Sequence, residues 1–158
     1  MFLGVGDFDR SRFHREADFR RAQFRGLAGF SDSAFLDGVA FDRAVMELSA
    51  DLNGMQVAGS ADFSRAVFCG LAGLSGARFE AGASFFATTW EQGLVSTGAL
   101  FAGPVDFRRA RFLGRVRLEQ LSLPEDPELV FEDLPGRWTV QQRPDDTWDV
   151  RLRGSGEQ

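Results

Sequence analysis

Residues 17–27 read ADFRRAQFRGL, a stretch with two phenylalanines five positions apart, Phe19 and Phe24. The next large apolar residue, Phe30, follows six positions later, and this alternation of five and six continues along the chain. Because a repeat of this length can bury its apolar residue only against its neighbours, the pattern predicts a solenoid of stacked coils. The positions defined by the alternation are Phe2, Phe8, Phe13, Phe19, Phe24, Phe30, Phe35, Phe41, Met46, Leu52, Val57, Phe63, Phe68, Leu74, Phe79, Phe85, Trp90, Ser96, Phe101, Phe107, Phe112, Leu118 and Leu123.

The full period of this pattern is 22 residues. A two-sided coil of eleven residues would merge columns of different composition, and a three-sided coil would disturb the alternation of five and six. Four sides keep every column consistent, so the sequence predicts an all-β, four-sided solenoid of about five coils. A step of 22 residues gives an unbroken phenylalanine column that we predict to be the structural core: Phe19, Phe41, Phe63, Phe85 and Phe107.

A small residue tends to stand two positions before each large one, as Ala17 does before Phe19. Positions two apart on an extended segment face the same way, so each segment should point one small and one large side chain inward. Glycines recur near alternate corners, where we expect them to form tight turns or adopt positive φ. These glycines are Gly26, Gly38, Gly59, Gly70, Gly82, Gly93, Gly103 and Gly114.

Three units show the clearest consensus of a small residue, a polar residue, Phe and two variable residues. Residues 17–21 and 61–65 match it fully, and residues 105–109 match it with Val in place of Ala. This unit resembles the pentapeptide-repeat family. Every second unit has a sixth residue, and the resulting eleven-residue step is similar to that of the Phe-rich variant of the family. The resemblance covers about residues 1–123 and implies a right-handed quadrilateral β-helix.

The two ends of the chain differ in sequence. The repeat begins at Phe2, which leaves no segment to cover the first coil. We expect either that two such aromatic ends meet in a homodimer or that the chain is part of a longer protein. Residues 124–158 form a separate acidic cap with 9 acidic residues and 4 Arg, whereas residues 1–123 contain 14 of each. Alternating apolar residues predict a β-hairpin at about 137–152, followed by a frayed tail.

Residues for catalysis or metal binding are scarce. His14 and Cys69 are the only His and Cys, and each follows a core Phe by one position, on the outer surface. No Gly-rich phosphate loop precedes a helix, and a core filled with Phe leaves no ordinary pocket, so we expect no cofactor, metal or enzymatic activity. The single cysteine fits a reducing cytoplasm. No apolar run is long enough to span a membrane.

An arginine column is the most distinctive surface feature. One position in successive 22-residue coils holds Arg in every coil except the one with Ala87. Stacked like charges need acidic neighbours or an anionic partner, so the column is either neutralised within the protein or faces a partner. The neighbouring acids are Asp18, Asp42, Asp62 and Asp106, and the candidate partner-binding residues are Arg21, Arg43, Arg65 and Arg109.

The favoured function is a non-catalytic protein-binding or scaffold solenoid that recognises an unknown protein partner through a flat face or edge. The family resemblance implies an alternative, because some pentapeptide-repeat proteins mimic B-DNA as acidic dimers and protect DNA gyrase from inhibitors. Such mimicry needs an excess of negative charge, whereas the repeats here are neutral. Direct nucleic-acid binding through an Arg-rich end is disfavoured in a chain of net charge −5. That end comprises Arg108, Arg109, Arg111, Arg115 and Arg117.

Overall fold

The computed structural model describes residues 1, 3–124, 130–131 and 134–153. Short strands stack in parallel into four sheets, which form the four sides of a solenoid. In the parallel pairings of every sheet the paired residues are 22 positions apart, as in Ala17↔Val39 and Ala61↔Ala83. The predicted all-β fold, the 22-residue period and the four sides are therefore confirmed. Apart from residues 130–131, which are helical, the described secondary structure consists of strands and turns.

Sheet 1 extends beyond the parallel coils and carries the C-terminal hairpin. Its order is β1-β5-β9-β13-β17-β21-β23-β22, and only the last two pairings are antiparallel. The strands of this sheet are β1 (Gly6–Asp7), β5 (Ala28–Gly29), β9 (Ala50–Asp51), β13 (Ala72–Gly73), β17 (Gly93–Thr97), β21 (Arg115–Leu121), β22 (Arg137–Gln142) and β23 (Trp148–Arg153).

The other three sheets contain five two-residue strands each. Sheet 2 consists of β2 (Arg12–Phe13), β6 (Ala34–Phe35), β10 (Gln56–Val57), β14 (Arg78–Phe79) and β18 (Leu100–Phe101). Sheet 3 consists of β3 (Ala17–Asp18), β7 (Val39–Ala40), β11 (Ala61–Asp62), β15 (Ala83–Ser84) and β19 (Val105–Asp106). Sheet 4 consists of β4 (Gln23–Phe24), β8 (Val45–Met46), β12 (Val67–Phe68), β16 (Thr89–Trp90) and β20 (Arg111–Phe112).

The predicted phenylalanine column forms the centre of the core. Neighbouring rings along it lie nearly parallel, with centroids 5.0 Å apart between Phe19 and Phe41 and 4.9 Å apart between Phe85 and Phe107. Rings from adjacent columns meet edge to face, as Phe19 and Phe30 do at 82°. Both arrangements are favourable for aromatic pairs, and each buried ring adds roughly 2 kcal/mol of apolar burial. The column residues are all buried: Phe19, Phe41, Phe63, Phe85 and Phe107.

Ser96 interrupts the large-residue pattern because large and small residues exchange places in its coil. Leu94, two positions earlier, is 1% exposed and pairs with Ala72 in the preceding coil. The Ser96 hydroxyl is also buried and donates a hydrogen bond of 2.9 Å to the carbonyl of Leu74. The core therefore keeps its volume, and the buried hydroxyl has the partner that burial requires.

The corner glycines are explained by crowding more often than by backbone conformation. Of the eight predicted corner glycines, only Gly82 and Gly93 have positive φ, 137° and 128°. At Gly70 a β-carbon would lie 2.5 Å from the backbone of Leu48 and Ser49 in the preceding coil. Of the two predicted reasons, positive φ therefore applies to Gly82 and Gly93 alone among these eight, and at positions such as Gly70 glycine permits the close approach of stacked backbones.

The predicted hairpin is present, and aromatic residues from this region cover the last coil. Strands β22 and β23 pair from Arg137↔Arg153 to Gln142↔Trp148. Phe131 stacks on Phe107 with centroids 5.2 Å apart, and Trp138 meets Phe112 edge to face at 5.3 Å. Phe2, where the repeat was predicted to begin, and the tail predicted to fray at 154–158 lie outside the described residues.

Candidate functional site

The arginine column lies on the edge between sheets 3 and 4, at the third residue of a repeated β-turn. In the first of these turns the Ala22 amide donates to the Phe19 carbonyl at 3.0 Å, with Arg20 and Arg21 between them. The same closure recurs in each of the following coils, for example from Ala44 to Phe41. We call this edge the Arg corner and define it by Arg20, Arg21, Asp42, Arg43, Arg65, Phe86, Ala87, Arg108 and Arg109.

Every residue of the column adopts a left-handed backbone conformation. Its φ is 57° at Arg21, 56° at Arg43, 57° at Arg65, 56° at Ala87 and 61° at Arg109. Side chains with a β-carbon disfavour this region by roughly 1–2 kcal/mol, so Gly or Asn is usual at such a turn position. The Arg corner therefore contains arginine where the backbone favours glycine.

The stacking of coils explains why this conformation is kept. The Arg21 amide donates to the Asp42 carbonyl of the next coil at 2.8 Å, and the Arg65 amide donates to the Phe86 carbonyl at 2.8 Å. The turn must direct these N–H groups along the solenoid axis, because otherwise each turn would lose a hydrogen bond to the next coil. The surrounding structure thus imposes positive φ whatever side chain is present.

Part of the column is neutralised within the protein. Asp42 lies between two column arginines, with its carboxylate 3.7 Å from the Arg43 guanidinium and 3.6 Å from that of Arg65. Among the described residues, Arg21 and Arg109 form no ion pair, and neither does Asp62. Of the four acids predicted to neutralise the column, only Asp42 forms an ion pair with it.

Two other acids pair with arginines beside the column. Arg20 binds Asp18 through two hydrogen bonds of 2.9 and 2.6 Å, and Arg108 binds Asp106 in the same way at 3.0 and 2.9 Å. The Arg20 hydrogen bonds lower the pKa of Asp18 to about 2, and those of Arg108 lower the pKa of Asp106. Asp18 and Asp106 therefore stay ionised and bind Arg20 and Arg108, so neither of them neutralises the charge of Arg21 or Arg109.

An aromatic side chain that the sequence did not single out lies inside the Arg corner. The Phe86 ring has the guanidinium carbons of Arg65, Arg108 and Arg109 within 5.6, 5.9 and 6.0 Å of its centroid. Each distance is within the range of a cation–π contact. Phe86 precedes Ala87, the gap in the column, so the ring collects arginines from the two neighbouring coils. A step of 22 from Phe86 reaches positions 64 and 108, neither of which is aromatic, so the periodicity gives no signal for this ring.

The residues considered for catalysis are far from a reactive arrangement. His14 is exposed and Cys69 is half-buried. Burial raises the pKa of the Cys69 thiol, and the Glu91 and Glu47 carboxylates add to the effect, which disfavours a thiolate nucleophile. The described residues contain no group of three or more His, Cys, Asp or Glu placed to hold a metal ion.

The first coil is more open than the coils that follow. Phe8 and Phe13 are partly exposed, whereas Phe30 and Phe35, one coil further on, are buried. Homodimerisation through this end remains a prediction. Within the part of the chain that is described, no helix is long and apolar enough to cross a membrane.

The architecture defines a class of protein, the parallel β-solenoid with four sides and a 22-residue coil. A family model described as pentapeptide repeats (9 copies) matches residues 8–55 and 41–89, which together span more than half of the chain. The chain belongs to the pentapeptide-repeat family, as its resemblance predicted. No curated protein matches the chain, and no solved structure matches it.

Proposed function

We propose that this solenoid is a non-catalytic binding protein that recognises an acidic surface of a protein partner through its Arg corner. The observation that carries the proposal is the placement of arginine at left-handed turn positions. Backbone strain of this kind is a reason to look for a function of the side chain. Arg21 and Arg109 also lack an ion pair within the described residues, so they are available to a partner's carboxylates.

The geometry of the corner suits a flat partner surface. Successive coils place the backbone positions of the column about 4.8 Å apart along one edge, with Ala87 as the single position without Arg. Arginine offers five donors in a planar fork that matches a carboxylate, and the Phe86 ring adds an apolar contact beside them. Such a mixture of arginine and aromatic side chains is common among the residues that dominate binding energy at protein interfaces.

The test is affinity capture from nuclease-treated lysate with the wild-type protein and an Arg21/Arg43/Arg65/Arg109→Ala variant. Alanine retains the β-carbon and already occupies the same turn position at residue 87, so the variant should fold. A matched control replaces four exposed arginines on other parts of the surface, Arg12, Arg25, Arg78 and Arg111, with Ala.

We expect a protein to be captured by the wild type and the control but lost with the corner variant. The purified partner should then bind the corner variant at least tenfold more weakly than the control in a direct titration. Equal capture by all three proteins would exclude the Arg corner as the recognition surface. Equal loss from both variants would attribute capture to overall charge.

The alternative is a DNA mimic that binds and protects DNA gyrase. Residues 44–106 are the acidic part of the repeats, with six acids and two Arg. The Arg corner opposes mimicry, because its six arginines along one edge would repel the cationic surface that binds DNA phosphates. Supercoiling assays with gyrase and an inhibitor test this alternative: protection at micromolar protein supports it, and unchanged inhibition excludes it.

A further inference from the structure

A groove with one apolar and one polar wall runs along the outer face of sheet 1. Its volume is about 440 Å³, and it crosses the sheet from β1 to β17. Gly29 and Gly73 occupy outward positions of their strands, and the side chains of Asp9 and Asn53 lie over them. The same outward column holds Asp7, Asp51 and Val95, which line the groove where glycine does not.

The apolar wall consists of exposed corner residues in three different coils. Val5 is 65% exposed, Leu27 is 50% exposed and Leu71 is 43% exposed, although each is a large aliphatic side chain. All three line the groove, together with Ser49 from the coil between the two leucines. A row of exposed aliphatic groups beside a concave surface is typical of a binding site.

The charged groups of the groove are all acidic. Among the described residues, Asp7, Asp9 and Asp51 line it, and no Arg does. One oxygen of each carboxylate accepts a hydrogen bond from a backbone amide. Asp7 accepts from the Asp9 amide at 3.0 Å, and Asp51 accepts from the Asn53 amide at 3.0 Å. Asp9 accepts from the Ser31 amide at 2.8 Å. Since none of the three forms an ion pair within the described residues, each can receive a cation at its other oxygen.

The polar wall supplies hydrogen-bond donors. The amide oxygen of Asn53 accepts from the Ser75 backbone at 2.7 Å, which points its NH₂ group away from that bond. The Ser75 hydroxyl accepts from the Thr97 backbone at 3.0 Å, so its own proton remains for another acceptor. The groove thus offers carboxylates for cations, aliphatic groups for apolar contacts and two donors for carbonyl oxygens.

The strands beneath the groove limit what form a ligand can take. Their backbone groups are already paired with neighbouring coils, so a ligand cannot join sheet 1 as an extra strand on this face. It must bind through side chains and its own free carbonyls. A polyproline II segment meets this requirement, because its backbone makes no internal hydrogen bonds and its carbonyls are therefore free.

The spacing of the carboxylates agrees with the same conformation. Asp7 and Asp51 occupy one column two coils apart, which corresponds to about 10 Å. In polyproline II, residues three apart lie on the same face and are separated by about 9 Å. We propose that the groove binds a proline-rich cationic segment of a partner protein in the polyproline II conformation, with two basic residues three positions apart facing Asp7 and Asp51.

The test uses fluorescein-labelled Arg-Pro-Pro-Arg-Pro-Pro-Arg and the full chain, with binding followed by fluorescence anisotropy. A peptide of the same composition with its three arginines adjacent, Arg-Arg-Arg-Pro-Pro-Pro-Pro, controls for charge alone. We expect saturable binding of the spaced peptide and roughly tenfold weaker binding of the clustered one. No binding of the spaced peptide, or equal binding of both peptides, would overturn the proposal.

Two double variants probe the walls. Asp7→Asn with Asp51→Asn keeps the acceptor oxygens and should weaken binding roughly tenfold, and Leu27→Asn with Leu71→Asn should weaken it roughly fivefold. The matched control, Asp37→Asn with Asp62→Asn, makes the same charge change outside the groove and should bind like the wild type. Either groove variant binding at full strength, or equal weakening in the control, contradicts the proposal.

The groove is separate from the Arg corner: it lies on the outer face of sheet 1, whereas the Arg corner lies on the edge between sheets 3 and 4. The Arg21/Arg43/Arg65/Arg109→Ala variant should therefore bind the spaced peptide with unchanged affinity. A substantial change in that affinity would show that the peptide does not bind in the groove, and would overturn the proposal. An arginine-bearing amphipathic helical peptide that binds more tightly than the spaced peptide would assign the groove to a helix instead.

Discussion

Two columns of turn residues, on different edges of the solenoid, share one backbone conformation and differ in side chain. On the edge between sheets 3 and 4, arginine or alanine occupies the turn position in every coil, with φ between 56° and 61°. On the edge between sheets 1 and 2, φ is also positive, but the residue type changes from coil to coil. We call this second set the mixed column, and it comprises Arg10, Asp32, Gly54, Gly76, Gly98 and Gln120. Both columns donate amides to the next coil, as Gly54 does to Ser75 and Arg43 does to Ser64.

The comparison separates what the fold requires from what the surface adds. Coil stacking requires a left-handed residue at both edges, and glycine meets that requirement without strain. The mixed column shows that several side chains also occupy such a position, so the repetition of arginine at the other edge is not a requirement of the fold. Since Arg21 has no ion pair within the described residues, its side chain forms no salt bridge that could offset the strain of its left-handed backbone. This contrast supports the proposal that Arg21 and Arg109 serve a partner, whereas Arg43 and Arg65 also pair with Asp42 within the protein.

The largest expected effect comes from adding a β-carbon to glycines of the mixed column. Gly54→Ala should lower the free energy of unfolding by about 2 kcal/mol, because it combines positive φ with a close contact to the Asp32 carboxylate. Gly76 also has a positive φ, but no atom lies near its added β-carbon, so Gly76→Ala should lower the free energy of unfolding by about 1 kcal/mol. Urea denaturation of both variants measures the difference. Wild-type stability in Gly76→Ala would show that this conformation is not strained.

A smaller effect, of opposite sign, is expected in the arginine column. Arg21→Gly removes the strained β-carbon and should raise the free energy of unfolding by about 0.5 kcal/mol, the greater freedom of glycine in the unfolded chain offsetting part of the gain. Arg21→Ala keeps the β-carbon and serves as the control, with stability close to that of the wild type. If Arg21→Gly is instead less stable than the alanine control, the left-handed turn is not strained at this edge.

The smallest expected effect concerns the acids beside the Arg corner. Arg20→Gln removes the paired cation, so the pKa of Asp18 should rise from about 2 towards its ordinary value of 3.8. A depressed pKa stabilises the fold above pH 3.8, and that contribution is lost as the pH falls towards 2. NMR titration of the Asp18 carboxyl measures the shift. Asp106, which pairs with Arg108, is the internal control and should titrate as in the wild type.

The phenylalanine positions were sufficient to predict the stack and its four sides. A 22-residue step places each large residue in a column, and burial of stacked rings leaves little freedom in how coils align. The exchange of Leu94 and Ser96 was not predicted, because the alternation of five and six specifies only where the large residue should stand. An apolar residue two positions before a polar one was the signal that could have identified it.

Features that depend on contact between coils were harder to predict. The sequence placed Arg65 and Arg109 in one column but gave no signal for the Phe86 ring beside them, since the column itself has Ala87 at that level. The ring contacts depend on how side chains lean between coils, which periodicity does not specify. The groove was missed for a related reason: it depends on how the Asp9 and Asn53 side chains lie over Gly29 and Gly73 of the next coil.

The constant register of the coils has a consequence for length. Each 22-residue coil adds one strand spacing, about 4.8 Å, to the rod. Inserting or deleting one whole coil between two surface residues would change their separation by one such step and leave both in their columns. The number of coils between two surface residues of one column therefore sets the distance between them in fixed steps.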